Sequence, residues 1–186
     1  PAPCTRTHRN GANMTIDTTT LTAIDTHVHV EADGHGCFSL DQELLDASAA
    51  YFKSGADRTP TLERIADKYR ALNMAAVVFT VDATTAMGNT ALSSREIVER
   101  VTAEFADVLI AFGSVDPLQP EQATEQVSAL VAAGARGFKF HPTMQGFSPN
   151  DPAVYPIYEA IAAAGVPMVF HTGQTGIGAG LPGRSE

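Results

Sequence analysis

The stretch Ile24-Asp25-Thr26-His27-Val28-His29 decides both how the chain folds and where its chemistry lies. It closes an apolar run, 21–28, in which a β-strand is expected, and side chains two apart on a strand project from one face. His27 and His29 therefore leave the strand end together, placed to reach one ion. Two imidazoles are a costly choice in an apolar strand, because their ring nitrogens would need partners in a crowded core. Metal ligation removes that cost, and histidines satisfied within the core are the alternative.

Outward from this strand, apolar runs alternate with amphipathic stretches, the pattern of βα units on a parallel sheet. Strands are expected over 21–28, 74–81, 109–115, 137–141 and 166–170, each short and apolar, as strands covered on both faces should be. Thr59 is placed to cap a helix with Pro60 at its first position and Leu62, Ile65, Ala66, Tyr69 and Leu72 on one face. Ser93 and Glu96 form a capping box that opens a helix through Phe105. Further helices are expected over 120–133, stopped by Gly134, and over 156–164, stopped by Gly165. The last two units echo each other: Ala132-Ala133-Gly134 leads to Phe140-His141, and Ala163-Ala164-Gly165 leads to Phe170-His171. The offset of about 30 residues is one βα step.

Composition narrows the function classes. A net charge of -9 offers no basic cluster to neutralise phosphates, so a nucleic-acid binder is not expected. No apolar run approaches the roughly 20 residues that cross a bilayer, and no signal-peptide core is present. The expectation is a cytoplasmic protein without a membrane partner. Cys4 and Cys37 are far apart and make neither a disulfide framework nor a zinc knot. Residues 1–13 lack hydrophobic periodicity, and 1–20 are expected to form a disordered tail, with a natural start at Met14.

Several other side chains are candidates for chemistry. His171 ends the fifth expected strand, at the same end of the sheet as the histidine pair, and active sites of parallel α/β proteins lie at the carboxyl ends of strands. It is the natural third metal ligand, with a core or capping histidine as the alternative. Lys139 and His141 share one face of the fourth strand, pointing inward if Phe138 and Phe140 pack on helices. A buried lysine needs a carboxylate or an anionic substrate, so Lys139 and His141 are candidates for a catalytic or substrate role, with a structural ion pair as the alternative. Asp25 falls two before His27 on the same face and could orient a ligand or make a structural hydrogen bond. Residues 30–58 form a connection far longer than the usual 2 to 6 residues. Within it Tyr51, Phe52, Lys53 and Arg58 could close on a substrate, the cations meeting a carboxylate; a helical lid or an oligomer contact explains the length equally well. Glu31, Asp33 and His35 lie just past the histidine pair and could be stray ligands, but solvated loop residues are the expectation.

The His27-Val28-His29 element, the strand Gly137-Phe138-Lys139-Phe140-His141-Pro142 and the strand Val169-Phe170-His171-Thr172-Gly173 together resemble the amidohydrolase superfamily. More narrowly, they resemble the amidohydrolase-related group that includes aminocarboxymuconate semialdehyde decarboxylase and γ-resorcylate decarboxylase. The resemblance implies a TIM-type (β/α)8 barrel, of which this chain would hold the first five βα units, because such barrels typically need about 250 residues. It implies a divalent metal, usually zinc with manganese as the alternative, held by His27, His29, His171 and a strand-eight aspartate that has no counterpart in these 186 residues. It also implies that a strand-four lysine is in some members carboxylated to bridge two metals. Imidazole ligands leave such an ion able to activate water or polarise a substrate oxygen.

The expected function is a metal-dependent hydrolase or decarboxylase acting on a small carboxylated or aromatic-derived molecule, in a homo-oligomer. The alternative is a truncated chain that binds metal or associates without turnover. A nucleotide-binding Rossmann unit is disfavoured, since no Gly-x-Gly-x-x-Gly follows the first strand, and Gly176, Gly178 and Gly180 come after the fifth.

Overall fold

The computed structural model describes residues 16–33, 36–40, 45, 46, 50, 59–88 and 91–173. Five strands are present: β1 (Ala23–His29), β2 (Met74–Phe79), β3 (Leu109–Ala111), β4 (Phe138–Phe140) and β5 (Met168–Phe170). The helices among the described residues are α1 (Leu62–Ala71), α2 (Thr84–Met87), α3 (Ser94–Glu104), α4 (Pro120–Ala133), α5 (Pro142–Gln145) and α6 (Tyr155–Ala163), with a 3-10 turn at Pro152–Val154. All five expected strands form, each shorter than the apolar run that announced it. Strand pairing stops where chains diverge towards the loops.

All the strand pairs are parallel: β1-β2-β3 make one sheet and β4-β5 a second. The two are joined by a single bridge between Gly113 and Phe138, with Gly113 N donating to Gly137 O at 2.8 Å and Lys139 N donating to Gly113 O at 2.8 Å. The strands thus follow one another in sequence order around a curved wall. Among the described residues the wall does not close, because β1 pairs only with β2 and β5 only with β4. This corrects one expectation: β1 is largely exposed, not covered on both faces.

Alternation along the strands splits the apolar residues into two layers. Phe138 and Phe140 face the helices and pack with Ile157, Ile161, Leu130 and Val98 in the main core. Val77, Phe79 and Phe112 form a separate inner cluster against Ile110 and Val169. Lys139 lies between the two outward phenylalanines and is 0% exposed, so it faces inward as expected.

Helix ends follow their local chemistry. Ser93 caps α3 through its side chain, accepting from Glu96 N at 3.1 Å. Gly134 ends α4 at φ 117°, a left-handed conformation that a side chain at Cβ would disfavour. At α1 the cap is Thr61, not Thr59, and its side chain makes no capping bond to the helix. α2 and α5 are additional to the expected elements; each is a single turn, too short for hydrophobic periodicity to reveal.

Candidate functional site

β1 carries an irregularity where the site begins. Asp25 pairs with Ala76 and Val28 with Val78, so three steps on β1 match two on β2. The extra residue changes the parity of the strand, and bulges of this kind often re-aim side chains. Asp25 therefore does not share the face of His27. It turns to the helix layer, where Oδ2 accepts from Tyr69 Oη at 2.6 Å on α1, while Oδ1 accepts from His27 N at 3.0 Å. Both bonds hold its carboxyl below the usual range. The carboxylate thus satisfies the backbone N–H that the bulge withdraws from the ladder.

Beyond the bulge the two histidines converge. Their Nε2 atoms stand 3.2 Å apart. Two nitrogens bound to one ion at about 2.0–2.1 Å, with an angle near 100°, would be separated by nearly the same distance. The pair therefore fits a shared divalent cation. Burial and neighbouring positive charge keep His29 neutral, pushed down to about 3, and lower His27 in the same direction. A neutral imidazole is the form that can donate a lone pair to a metal.

Phe79, at the end of β2, organises the inner face. Its ring lies 5.4 Å from the His27 ring and 4.9 Å from the His29 ring, both edge-on. The Nζ of Lys139 lies 5.0 Å from the same ring centroid, an attractive cation–π distance. That amine is buried without a hydrogen-bond partner among the described residues, and burial pushes it down to about 8. A structural ion pair for Lys139 is thus not what the described residues show.

Directly after β4 and β5, His141 and His171 stack, with ring centroids 4.0 Å apart and planes within 7°. Among the described residues His171 Nε2 is buried without a hydrogen-bond partner, which is consistent with ligation. The charges of His171 and Lys139 reach both His27 and His29, lowering their basicity, so the four groups share one neighbourhood. Nonetheless, no group of three or more His, Cys, Asp or Glu able to hold a metal is assembled among the described residues. The structure brings together two of the three anticipated ligands and leaves His171 against His141.

Glu31 was expected in solvent and is instead part of the site. Its Oε1 lies 3.4 Å from His29 Nδ1, its Oε2 accepts from the Ser39 hydroxyl, and burial raises its carboxyl to about 7. A carboxylate on the second nitrogen of a ligating histidine fixes the tautomer that frees the first. Phe79 carries no motif of its own and is brought to the histidines by strand register, whereas Glu31 follows His29 by two residues along the chain. Arg58, Tyr51, Phe52, Lys53, His35 and the glycines at 176, 178 and 180 lie outside the described residues. No helix among the described residues is long and apolar enough to cross a membrane.

Against this geometry, comparison with known proteins is specific. The amidohydrolase family profile matches residues 24–185. No curated protein matches the sequence. Among solved structures, the chain is similar to 5-carboxyvanillate decarboxylase from Novosphingobium aromaticivorans DSM 12444, complexed with manganese and 4-hydroxy-3-methoxy-5-nitrobenzoic acid. That match has a TM-score of 0.57 and 14% identity, over 92% of this chain and 56% of that one. A mutant of the same enzyme, also with manganese, matches at TM-score 0.55 and 13% identity, over 92% of this chain and 54% of that one. 5-Carboxyvanillate decarboxylase from Sphingomonas paucimobilis matches at TM-score 0.53 and 14% identity, over 80% of this chain and 51% of that one. The chain thus spans about half the length of the structures it resembles, and at these identities the likeness is one of fold.

Proposed function

The chain belongs to the amidohydrolase family, and we propose that it supplies the metal-binding half of a (β/α)8-barrel enzyme that decarboxylates a small aromatic carboxylate. The observation that carries this reading is the His27–His29 pair, whose Nε2 atoms stand 3.2 Å apart. His27 and His29 would hold a divalent ion, with His171 as the third donor; zinc suits the imidazole set, and manganese is the metal of the similar decarboxylases. When bound, such an ion supplies positive charge that polarises a substrate oxygen.

The chain's own residues do the rest. Among the described residues the buried Lys139 amine has no hydrogen-bond partner, an unfavourable arrangement that an anionic substrate group would relieve. With its amine at about 8, Lys139 is mostly protonated at neutral pH and binds a carboxylate or phenolate. Phe79 sets the spacing between that cation and the histidines. Glu31 orients His29. Arg58, in the long connection after β1, is a second cation for the substrate. Loss of carbon dioxide leaves an electron pair on the ring carbon, which a proton must quench. Hydrolysis at the same site is the alternative reaction within the family.

The test is direct: purified chain loaded with manganese or zinc is incubated with 5-carboxyvanillate and related hydroxybenzoates, and carbon dioxide release is followed. Turnover that falls on Lys139→Met, with a raised KM, supports the proposal; no binding of any aromatic carboxylate by metal-loaded protein refutes it. The edges of β1 and β5, unpaired among the described residues, favour a second reading, in which the chain binds metal and associates through those edges without turnover. Metal uptake with concentration-dependent self-association and no carbon dioxide release would select it.

A further inference from the structure

Gln145 is 0% exposed, and all of its side-chain polar atoms are engaged. Its Oε1 accepts from His141 N at 2.8 Å, and its Nε2 donates to Asp82 O at 2.8 Å and to Val115 O at 2.9 Å. The amide orientation is forced by chemistry, since a backbone N–H can only donate and the two carbonyls can only accept. Those partners lie in the chain that follows β2 and β3 and at the end of β4. One side chain thus ties together the carboxyl ends of three successive strands, across the junction where the two sheets meet by a single bridge.

The same turn grips His141. Gln145 N donates to His141 O at 2.9 Å, and Met144 N donates to His141 Nδ1 at 3.3 Å. With its N, O and Nδ1 all committed to α5, His141 has no freedom of backbone and little of ring. Because Nδ1 accepts, the ring proton must sit on Nε2. The face of this ring then supports His171 at 4.0 Å.

We propose that Gln145 is a positioning residue of the strand-end site: by clasping the loops after β2, β3 and β4 it locks His141 as the Nε2–H tautomer and thereby fixes the plane of His171. This rests on the proposed function only in taking the strand ends as the substrate face. The consequence for His141 is that Nε2–H is the ring atom left to donate a hydrogen bond to a substrate oxygen, since Nδ1 is already held by Met144 N. A buried amide satisfied at every atom is suited to this task, because any other rotamer would leave several polar groups unpaired.

The experiment is ring proton–nitrogen correlation spectroscopy on the full, nitrogen-15-labelled chain at neutral pH, with wild type beside Gln145→Leu and melting curves for both. The wild-type His141 ring is expected to show a protonated Nε2 and a bare Nδ1; an Nδ1–H ring or an even mixture overturns the proposal. In Gln145→Leu the ring is expected to average over both tautomers, and turnover to drop by roughly 10²-fold, as misplacement by about 1 Å can cause. A variant that folds and keeps the wild-type ring signature also overturns it. If Gln145→Leu does not fold, Gln145→Glu, which keeps the acceptor for His141 N and loses only the donors, gives the same readout. Wild-type protein that binds no metal and releases no carbon dioxide would remove the proposed function, while the ring spectra would still decide the role of Gln145.

Discussion

Gly137→Ala tests how tightly the two sheets are joined. Gly137 has no left-handed backbone requirement, so the cost of a methyl group there is steric. A Cβ at this position would lie 2.4, 2.5 and 2.7 Å from three carbons of the Phe112 ring. Carbon atoms in good contact sit about 3.5–4.0 Å apart, so the overlap is about 1 Å and the ring must move. Phe112 is packed in the inner cluster with Val77 and Phe79, and overpacking of this kind typically costs about 1–3 kcal/mol. For a chain of this size each kcal/mol lowers Tm by about 2–4 °C. Urea unfolding of wild type, Gly137→Ala, Phe112→Leu and the double variant should show a lower midpoint for Gly137→Ala and substantial recovery in the double variant, a coupling of about 1–3 kcal/mol. Additivity to within about 0.5 kcal/mol, or an unchanged midpoint for Gly137→Ala, would rule out the close approach of β4 to Phe112.

Two further outcomes follow from hydrogen bonds outside the histidine cluster. Tyr69→Phe removes the hydroxyl from Asp25 Oδ2 and should cost about 1–3 kcal/mol, as loss of a bond to a charged group does, while loosening the bulge enough to weaken metal affinity; unchanged stability by denaturant titration would contradict this. Arg70 grips Asp107 with two bonds of 2.7 and 2.8 Å, and these, against a smaller opposing effect of burial, lower the Asp107 carboxyl below its ordinary 3.8. A lowered folded-state value means the stabilisation is complete above the unfolded value and is lost as pH falls through the folded one. The stability gap between wild type and Arg70→Gln should therefore be widest near neutrality and shrink below about pH 4; a gap that widens on acidification would be the wrong sign.

The sequence announces features that depend on local pattern and hides those that depend on register. The five strands, the caps at Ser93 and Gly134 and the histidine pair are visible because alternation, capping chemistry and i, i+2 spacing are local properties. The inward aim of Lys139 is legible too, since the phenylalanines on either side mark the helix face. Asp25 is misplaced by the same logic, because a bulge between Asp25 and Val28 changes parity without leaving a glycine or proline as a mark. Glu31 is visible as a residue two positions past His29, but its burial against that ring is not. Phe79 and Gln145 are not visible at all, because each acts on residues brought close only when β1 pairs with β2 or when α5 folds back over the strand ends, contacts that no single-chain pattern encodes. His171 is intermediate: it lies at the strand end where the sequence places it, but its ring rests on His141, and no three-ligand cluster forms among the described residues.

Whether His27 and His29 hold one divalent ion is decided by calorimetric titration of the metal-stripped chain with manganese and with zinc, alongside His27→Ala, His29→Ala and the double variant. Close to one ion per chain is expected for wild type, with loss of binding in the double variant and melting curves showing all proteins folded. Wild-type protein that takes up neither metal, or a double variant that binds as wild type does, would show that the pair is not a metal site.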